Sequence, residues 1–108
     1  MWLITTEGFV SVVKKGKEKG KPFCVRSRDI KSIENILEVL GTKSDIYENA
    51  ATDYQYRIFI SEDELKAYLL HIAENITYNN FKDAVYKISP FHAKVYGNVW
   101  RTLWQLRR

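Results

Sequence analysis

The chain of 108 residues lacks the features that would crosslink it or direct it to a membrane. Its one cysteine, Cys24, cannot form an intrachain disulfide. No apolar run approaches the roughly 20 residues that cross a bilayer, and the opening MWLITTEGF has neither the basic region nor the apolar core of a secretory signal. We therefore expect a protein of the reducing cytoplasm with no membrane partner.

The sequence also lacks recognisable catalytic and metal-binding motifs. Its two histidines, His71 and His92, lie far apart and neither belongs to a metal-ligand spacing. Cys24 falls in a predicted strand with no partner base, which is typical of a small buried apolar residue. There is no glycine-rich phosphate loop and no nucleophile elbow. We therefore predict that the protein is not an enzyme, and we assign it no catalytic residue, metal or cofactor.

What the chain does contain is enough apolar surface for a core and an uneven charge. A hydrophobic content of 45% and an aromatic content of 14% predict one folded domain spanning residues 1–108. The net charge is +4, with five lysines and one glutamate in residues 14–21 and four basic residues without an acid in residues 91–108. Acids outnumber bases in residues 22–90. This distribution favours an anionic partner.

Residues 1–60 are predicted to form two β-hairpins around a helix. The first hairpin has one extended strand over Trp2–Lys14, with a bend or bulge at Gly8, and a second strand in PFCVRSR. The second hairpin lies in DIYENAATDYQYRIFI and turns near residues 50–53. Alternation in its second strand predicts one face formed by Tyr54, Tyr56, Ile58 and Ile60.

Two helices have clear start signals. RDIKSIENILEVLG has apolar residues at helical spacing, with Ser27 or Asp29 as the cap and Gly41 as the stop. SEDELKAYLLHIAENI opens with Ser61 and Glu64 in capping-box spacing. Its predicted buried stripe comprises Leu65, Tyr68, Leu69, Ile72 and Ile76.

The remaining chain is predicted to be helical, which sets the fold class. A short helix is capped by Asn79 or Asn80, and a final helix follows the interruption at Pro90. The apolar face of the final helix is predicted to be Tyr96, Val99, Trp100 and Leu103. The fold class is therefore α+β in ββαββα order: an antiparallel sheet of two β-hairpins in residues 1–60, helices on one face, and a C-terminal helical tail within residues 61–108.

The lysine-rich segment VVKKGKEKGKPF has two interpretations. Mobile ammonium groups can follow a phosphate backbone or close over a nucleotide. Lysine-rich hairpin tips also keep sheet edges soluble and prevent edge-to-edge pairing. The sequence leaves both alternatives open.

Three arginines are the leading candidates for a binding site. Arg26 and Arg28 alternate on one face of their predicted strand, and Arg57 shares its face with Phe59. If helices cover the other face, these arginines can converge on the open one. Their guanidinium groups are suited to bidentate contacts with phosphate, and Phe59 could offer a stacking surface. The alternative is an ordinary solvated face with cross-strand salt bridges, for instance to Glu48.

The segment YNNFKDAVYK is a second candidate. Its helix start attracts anions, Tyr78 could stack on a base and Lys82 could attract a phosphate. The alternative is that the asparagines cap the helix and the apolar residues form its core face.

The C-terminal helix is a candidate interface. Trp100 is predicted to belong to the core stripe, and Trp104 to lie at its edge, where it could contact a protein partner or a second copy of the chain. The basic residues here can alternatively serve only to complement the helix dipole.

Several blocks of sequence carry a resemblance: MWLITTEGFVSVV, VRSR, DYQYRIFI, NNFKDAVY and VYGNVWRTLWQL. They resemble a family of small bacterial and phage proteins that opens Met-Trp-Leu-x-Thr-Thr-x-Gly-Phe-x-Ser-Val-Val. The resemblance implies a self-contained cytosolic domain and transfers no activity to particular residues. Small phage proteins include sequesterers of nucleotide immune signals and inhibitors of host nucleases, and these classes are related to this chain by analogy only.

The sequence thus predicts a non-enzymatic binding protein for an anionic, phosphate-bearing ligand, either a nucleotide signal or a short nucleic acid. A phage-type sequestering or anti-defence role would fit this prediction. The residues assigned to the ligand are Arg26, Arg28, Arg57, Phe59, Tyr78 and Lys82. The alternative is a protein-interaction or inhibitor domain, in a homo-oligomer, whose interface includes Trp100 and Trp104.

Overall fold

In the computed structural model, which describes residues 1–107, five strands form one antiparallel sheet in the order β1-β2-β3-β5-β4. The strands are β1 (Trp2–Thr5), β2 (Gly8–Lys14), β3 (Phe23–Ser27), β4 (Tyr47–Glu48) and β5 (Tyr56–Ile60). The helices are α1 (Ile30–Leu40), α2 (Glu62–Glu74), α3 (Phe81–Ile88) and α4 (Pro90–Leu103), followed by a 3-10 turn at Trp104–Leu106. The predicted α+β class is confirmed.

The chain divides into two compact units. The first, Met1–Ile76, contains the sheet, α1 and α2, and the second begins at Thr77 and contains α3 and α4. The assignment of all 108 residues to a single domain stays a prediction. No helix within the described residues is both long and apolar enough to span a bilayer.

The predicted ββαββα order is wrong because the first extended segment is itself a hairpin. The chain turns at residues 6–7, so that Thr5 pairs with Gly8 across β1 and β2. The Thr5 hydroxyl accepts a hydrogen bond from the Glu7 N–H at 3.0 Å, and Gly8 has φ 134°. Both halves are rich in β-branched residues, so strand propensity alone predicts one continuous strand and does not reveal the turn. The observed order is β1-β2-β3-α1-β4-β5-α2-α3-α4.

The core of the first unit lies between one face of the sheet and the two helices α1 and α2. Ile33 and Ile36 of α1 are fully buried, and Tyr68 of α2 is 3% exposed. They pack against alternate strand residues, namely Val10, Val12, Val25, Ile58 and Ile60. Ile76, predicted to belong to the buried stripe of α2, is 59% exposed because α2 ends at Glu74.

The predicted helix starts agree closely with the structure. Asp29 caps α1 by accepting a hydrogen bond from the Ser32 N–H at 2.7 Å. Ser61 and Glu64 form both hydrogen bonds of the capping box at the start of α2. Asn80, one of two predicted candidates, caps α3. Caps depend on neighbouring residues only, so sequence spacing is sufficient to locate them.

The second unit shows where the prediction for the final helix fails. Val85 and Tyr96 are buried, and the rings of Phe81 and Tyr96 stack at 6.3 Å. Trp100, predicted to belong to the core stripe, is 58% exposed. With only eight residues, α3 extends over about 12 Å and is too short to cover all fourteen residues of α4.

Gly8→Ala is expected to lower the free energy of unfolding by about 2–4 kcal/mol. A methyl group at Gly8 would require a strained backbone and would collide with Ser32, whose Cβ atom lies 2.8 Å from the added carbon. Gly97→Ala is the matched control, because nothing lies within 4 Å of its added carbon and its φ is not positive. Urea unfolding checks both variants, and equal stability of Gly8→Ala and the wild type would contradict this account of the turn.

Candidate functional site

One row of residues crosses the sheet on the face opposite α1 and α2. The strand registers place Trp2 opposite Ser11, Ser11 opposite Arg26, Arg26 opposite Arg57, and Arg57 opposite Tyr47. We call these five residues the cross-strand row, and the side of the sheet that bears them the arginine face. Because side chains alternate along each strand, the row lies opposite the apolar residues of the core.

Arg26 and Arg57 face one another at the centre of this row. Like charges directly opposite on neighbouring strands are destabilising, yet neither guanidinium forms an ion pair with a carboxylate among residues 1–107. Their recorded partners are neutral. Arg26 Nε donates to Ser11 Oγ at 3.2 Å, and Arg57 Nη2 donates to Thr52 Oγ1 at 3.3 Å and to the Tyr54 carbonyl at 3.2 Å.

The ring of Tyr54 brings two of the three arginines together. Arg26 Cζ lies 4.6 Å from its centroid and Arg28 Cζ lies 5.2 Å from it, in cation–π geometry. Phe9 contacts the same ring at a centroid distance of 6.4 Å. Tyr54 is only 5% exposed in this arrangement. Arg26 and Arg28 therefore converge on the ring of Tyr54, and Arg57 contacts the backbone carbonyl of the same residue. Sequence reasoning missed this role of Tyr54.

The prediction that Tyr54 shares a face with Tyr56, Ile58 and Ile60 is wrong, because its ring contacts Arg26 and Phe9 whereas Ile58 and Ile60 lie in the core. Tyr54 precedes β5, which begins at Tyr56, so strand alternation does not determine its direction. The predicted alternative of salt bridges to Glu48 is not observed: Glu48 Oε1 accepts from Gln55 Nε2 at 2.9 Å. Arg28 Nε donates to the backbone carbonyl of Asp53 at 3.0 Å.

The lysine-rich loop and Phe59 line one pocket of about 430 Å³. Its lining consists of Lys15, Lys17, Glu18, Tyr47 and Phe59. The rings of Tyr47 and Phe59 meet edge to face, with centroids 5.7 Å apart. Phe59 lies two residues beyond Arg57 on the same strand face, so the pocket is next to the arginine pair.

Cys24 is a fully buried thiol on the strand next to Phe59. It pairs across the strands with Phe59 and has no exposed surface. Burial raises the pKa of the Cys24 thiol above its ordinary value, against the opposing effect of the nearby positive charges of Arg57, Lys15 and Arg26. Cys24 is therefore a thiol with little thiolate character, and its burial agrees with the sequence prediction.

Phe59→Ala is expected to speed the labelling of Cys24 by a thiol reagent about tenfold or more near pH 8, because both access and thiolate fraction would rise. Tyr47→Ala is the control, since Tyr47 lies on the edge strand β4 and does not pair with Cys24. The labelling rates of the two variants are measured from the absorbance of the chromophore that the reagent releases. Equal labelling of Phe59→Ala and the wild type would show that Phe59 does not shield the thiol.

Tyr78 and Lys82 belong to the second unit. Tyr78 contacts Phe81 at a centroid distance of 5.9 Å, and Lys82 Nζ lies 4.7 Å above the ring of Trp100. Arg26, Arg28 and Arg57, by contrast, belong to the first unit, as do the residues that they contact. The ligand role of Tyr78 and Lys82 stays a prediction.

Sequence reasoning also missed a link between the first turn and α2. His71 Nε2 lies 2.7 Å from Glu7 Oε2, and the ring of Tyr68 stacks on that of His71. Burial, with the nearby Glu7 charge, raises the pKa of Tyr68 to about 12, against the opposing effect of a side-chain hydrogen bond with Thr5. Among the residues the structure describes, no group of three His, Cys, Asp or Glu side chains is placed to hold a metal ion.

Comparisons of the chain with protein-family models, with curated proteins and with solved structures find no match. Its function is therefore inferred from the chemistry of the arginine face. The resemblance of the five sequence blocks to a family of small bacterial and phage proteins stays a prediction.

Proposed function

We propose that the protein is a non-enzymatic binding protein for an anionic, phosphate-bearing ligand held on the arginine face. One observation carries this proposal: Arg26 and Arg57 lie directly opposite one another with no carboxylate partner among the described residues. Repulsion between two like charges in this position is unfavourable, and a bound anion would offset it. Guanidinium groups offer phosphate a planar, bidentate set of donors.

The hydrogen bonds of the arginines leave donors for a ligand. Arg26 uses Nε and Arg57 uses Nη2, so each retains further N–H groups for phosphate oxygens. Arg28 adds a third positive charge and shares the Tyr54 ring with Arg26. Phe59 and Tyr47 provide aromatic surface for a base, as the sequence predicted for Phe59.

Isothermal titration at low salt tests this proposal. The ligands are inorganic pyrophosphate, a nucleoside monophosphate, a nucleoside triphosphate and a short oligonucleotide, with an uncharged nucleoside as the control. We expect at least one phosphate compound to bind, more weakly as salt is added, and the nucleoside to bind far less well. If no phosphate compound binds at about millimolar concentration, which corresponds to about −4 kcal/mol, the proposal fails.

A second candidate function is a protein-interaction domain that self-associates through the C-terminal helix. Trp100 and Trp104 are 58% and 57% exposed, and their rings lie 6.3 Å apart. Adjacent exposed tryptophans are typical of interface hot spots.

Trp104→Ala is expected to weaken self-association by about 2 kcal/mol if this second function holds. Phe91→Ala is the control, because Phe91 is equally apolar and 71% exposed but lies at the other end of α4. Sedimentation equilibrium measures both variants. A wild-type monomer at all concentrations, or a dimer unaffected by Trp104→Ala, would remove this candidate.

A further inference from the structure

The cross-strand row carries an exposed aromatic residue at each end. Trp2 lies on the edge strand β1 and is 73% exposed, and Tyr47 lies on the opposite edge strand β4 and is 52% exposed. Four strand spacings separate them, which amounts to about 19 Å at about 4.8 Å per spacing. Neither ring belongs to the buried core.

Each terminal ring is held by a second aromatic residue. Trp2 meets Phe9 edge to face, with centroids 6.3 Å apart, and Tyr47 meets Phe59 edge to face at 5.7 Å. A ring fixed in this way loses little freedom when a flat ligand stacks on it. The two edges of the sheet therefore offer two separate stacking platforms.

Positive charge lies between and beside these platforms. Arg26 and Arg57 form the centre of the row, and Lys15 and Lys17 line the pocket at the Tyr47 end. Glu18 is the one acid in that lining. Aromatic platforms joined by a basic track are the arrangement that binds single-stranded nucleic acids, whose bases stack while the backbone is neutralised.

We propose that the ligand of the arginine face is a single-stranded nucleic acid that crosses the strands along the row from Trp2 to Tyr47. This inference rests on the proposed function and deepens it by naming the ligand class. A mononucleotide has one base and cannot reach both ends of the row. At the roughly 3.4 Å per nucleotide of a stacked strand, about six nucleotides span the row, and a more extended strand needs fewer.

Titration with a length series tests this inference. Labelled oligothymidylates and oligouridylates, from the mononucleotide to the octanucleotide, are titrated at low salt and followed by fluorescence anisotropy. We expect affinity to rise with length and to level off near six nucleotides. The deoxy and ribo series identify the preferred sugar, and length-dependent binding of either supports the proposal.

Trp2→Ala tests the role of the far end of the row. It is expected to lower the ratio of hexanucleotide to mononucleotide association constants about 5- to 150-fold, the effect of losing one stacked base. Tyr86→Ala is the control, since Tyr86 is an equally exposed aromatic residue of the second unit. Tyr47→Ala, at the other edge, is expected to weaken hexanucleotide binding by a similar factor, and circular dichroism confirms that each variant is folded.

The outcomes separate this inference from the proposed function. A mononucleotide that binds as tightly as the hexanucleotide overturns the inference and leaves the phosphate site standing. Length-dependent binding that survives both Trp2→Ala and Tyr47→Ala overturns the assignment of the row. If neither mononucleotide nor oligonucleotide binds, and pyrophosphate does not bind either, the proposed function fails as well.

Discussion

Arg57→Ala is expected to weaken the binding of a phosphate-bearing ligand by about 1.5–3 kcal/mol, or about 10- to 150-fold. The substitution removes a charge-assisted donor from the centre of the arginine face. It also removes the repulsion with Arg26, which offsets the loss of the hydrogen bonds to Thr52 and Tyr54. The free energy of unfolding should therefore change by less than about 1 kcal/mol. Titration calorimetry and urea unfolding measure the two effects.

Arg101→Ala is the matched control for this experiment. It removes the same side chain and the same charge from α4, in the second unit. A similar loss of affinity in both variants would show that only net charge matters. An Arg57→Ala variant that is strongly destabilised but binds normally would show that the arginine face is structural.

Tyr54→Ala is expected to lower the free energy of unfolding by about 3 kcal/mol or more, as for other buried aromatic residues. Its ring is 5% exposed and contacts Arg26, Arg28 and Phe9. Without the ring, the two guanidinium groups lose their common support, and ligand binding should weaken in the same variant.

Tyr54→Phe separates the ring from its hydroxyl. Phenylalanine keeps the aromatic face that both guanidinium groups contact, so stability and binding should remain within about 1 kcal/mol of the wild type. Urea unfolding and calorimetry of the two variants provide the comparison. Tyr54→Phe as damaging as Tyr54→Ala would show that the hydroxyl, and not the cation–π arrangement, matters most.

The features that sequence reasoning located are those set by near neighbours. The caps at Asp29 and Ser61 follow from side chains three residues from the groups they bind. The shared direction of Arg57 and Phe59 follows from strand alternation alone. Such features require no knowledge of which strand pairs with which.

The features that sequence reasoning missed depend on contacts between distant segments. Glu7 meets His71 across 64 residues, which no local pattern indicates. Tyr54 turns onto the arginine face from a loop, outside the reach of strand periodicity. The turn at residues 6–7 was hidden because strand formers lie on both sides of it.

The candidate site could be predicted only in part. The sequence placed Arg26 and Arg57 on strand faces, but their direct opposition depends on the register of β3 and β5. The positions of Trp2 and Tyr47 at opposite edges depend on the strand order. A one-residue slip in register would have reversed the face of every side chain involved.

The salt dependence of oligonucleotide binding tests the central claim most directly. Anisotropy titrations of labelled hexathymidylate are repeated at increasing sodium chloride concentrations, for the wild type and for Arg57→Ala. If Arg26, Arg28 and Arg57 each neutralise one phosphate, the logarithm of the association constant should fall against the logarithm of salt with a slope of about −2, and Arg57→Ala should make the slope shallower by about 0.7. A slope near zero, or the same slope in both proteins, would contradict the claim that the arginine face binds phosphate.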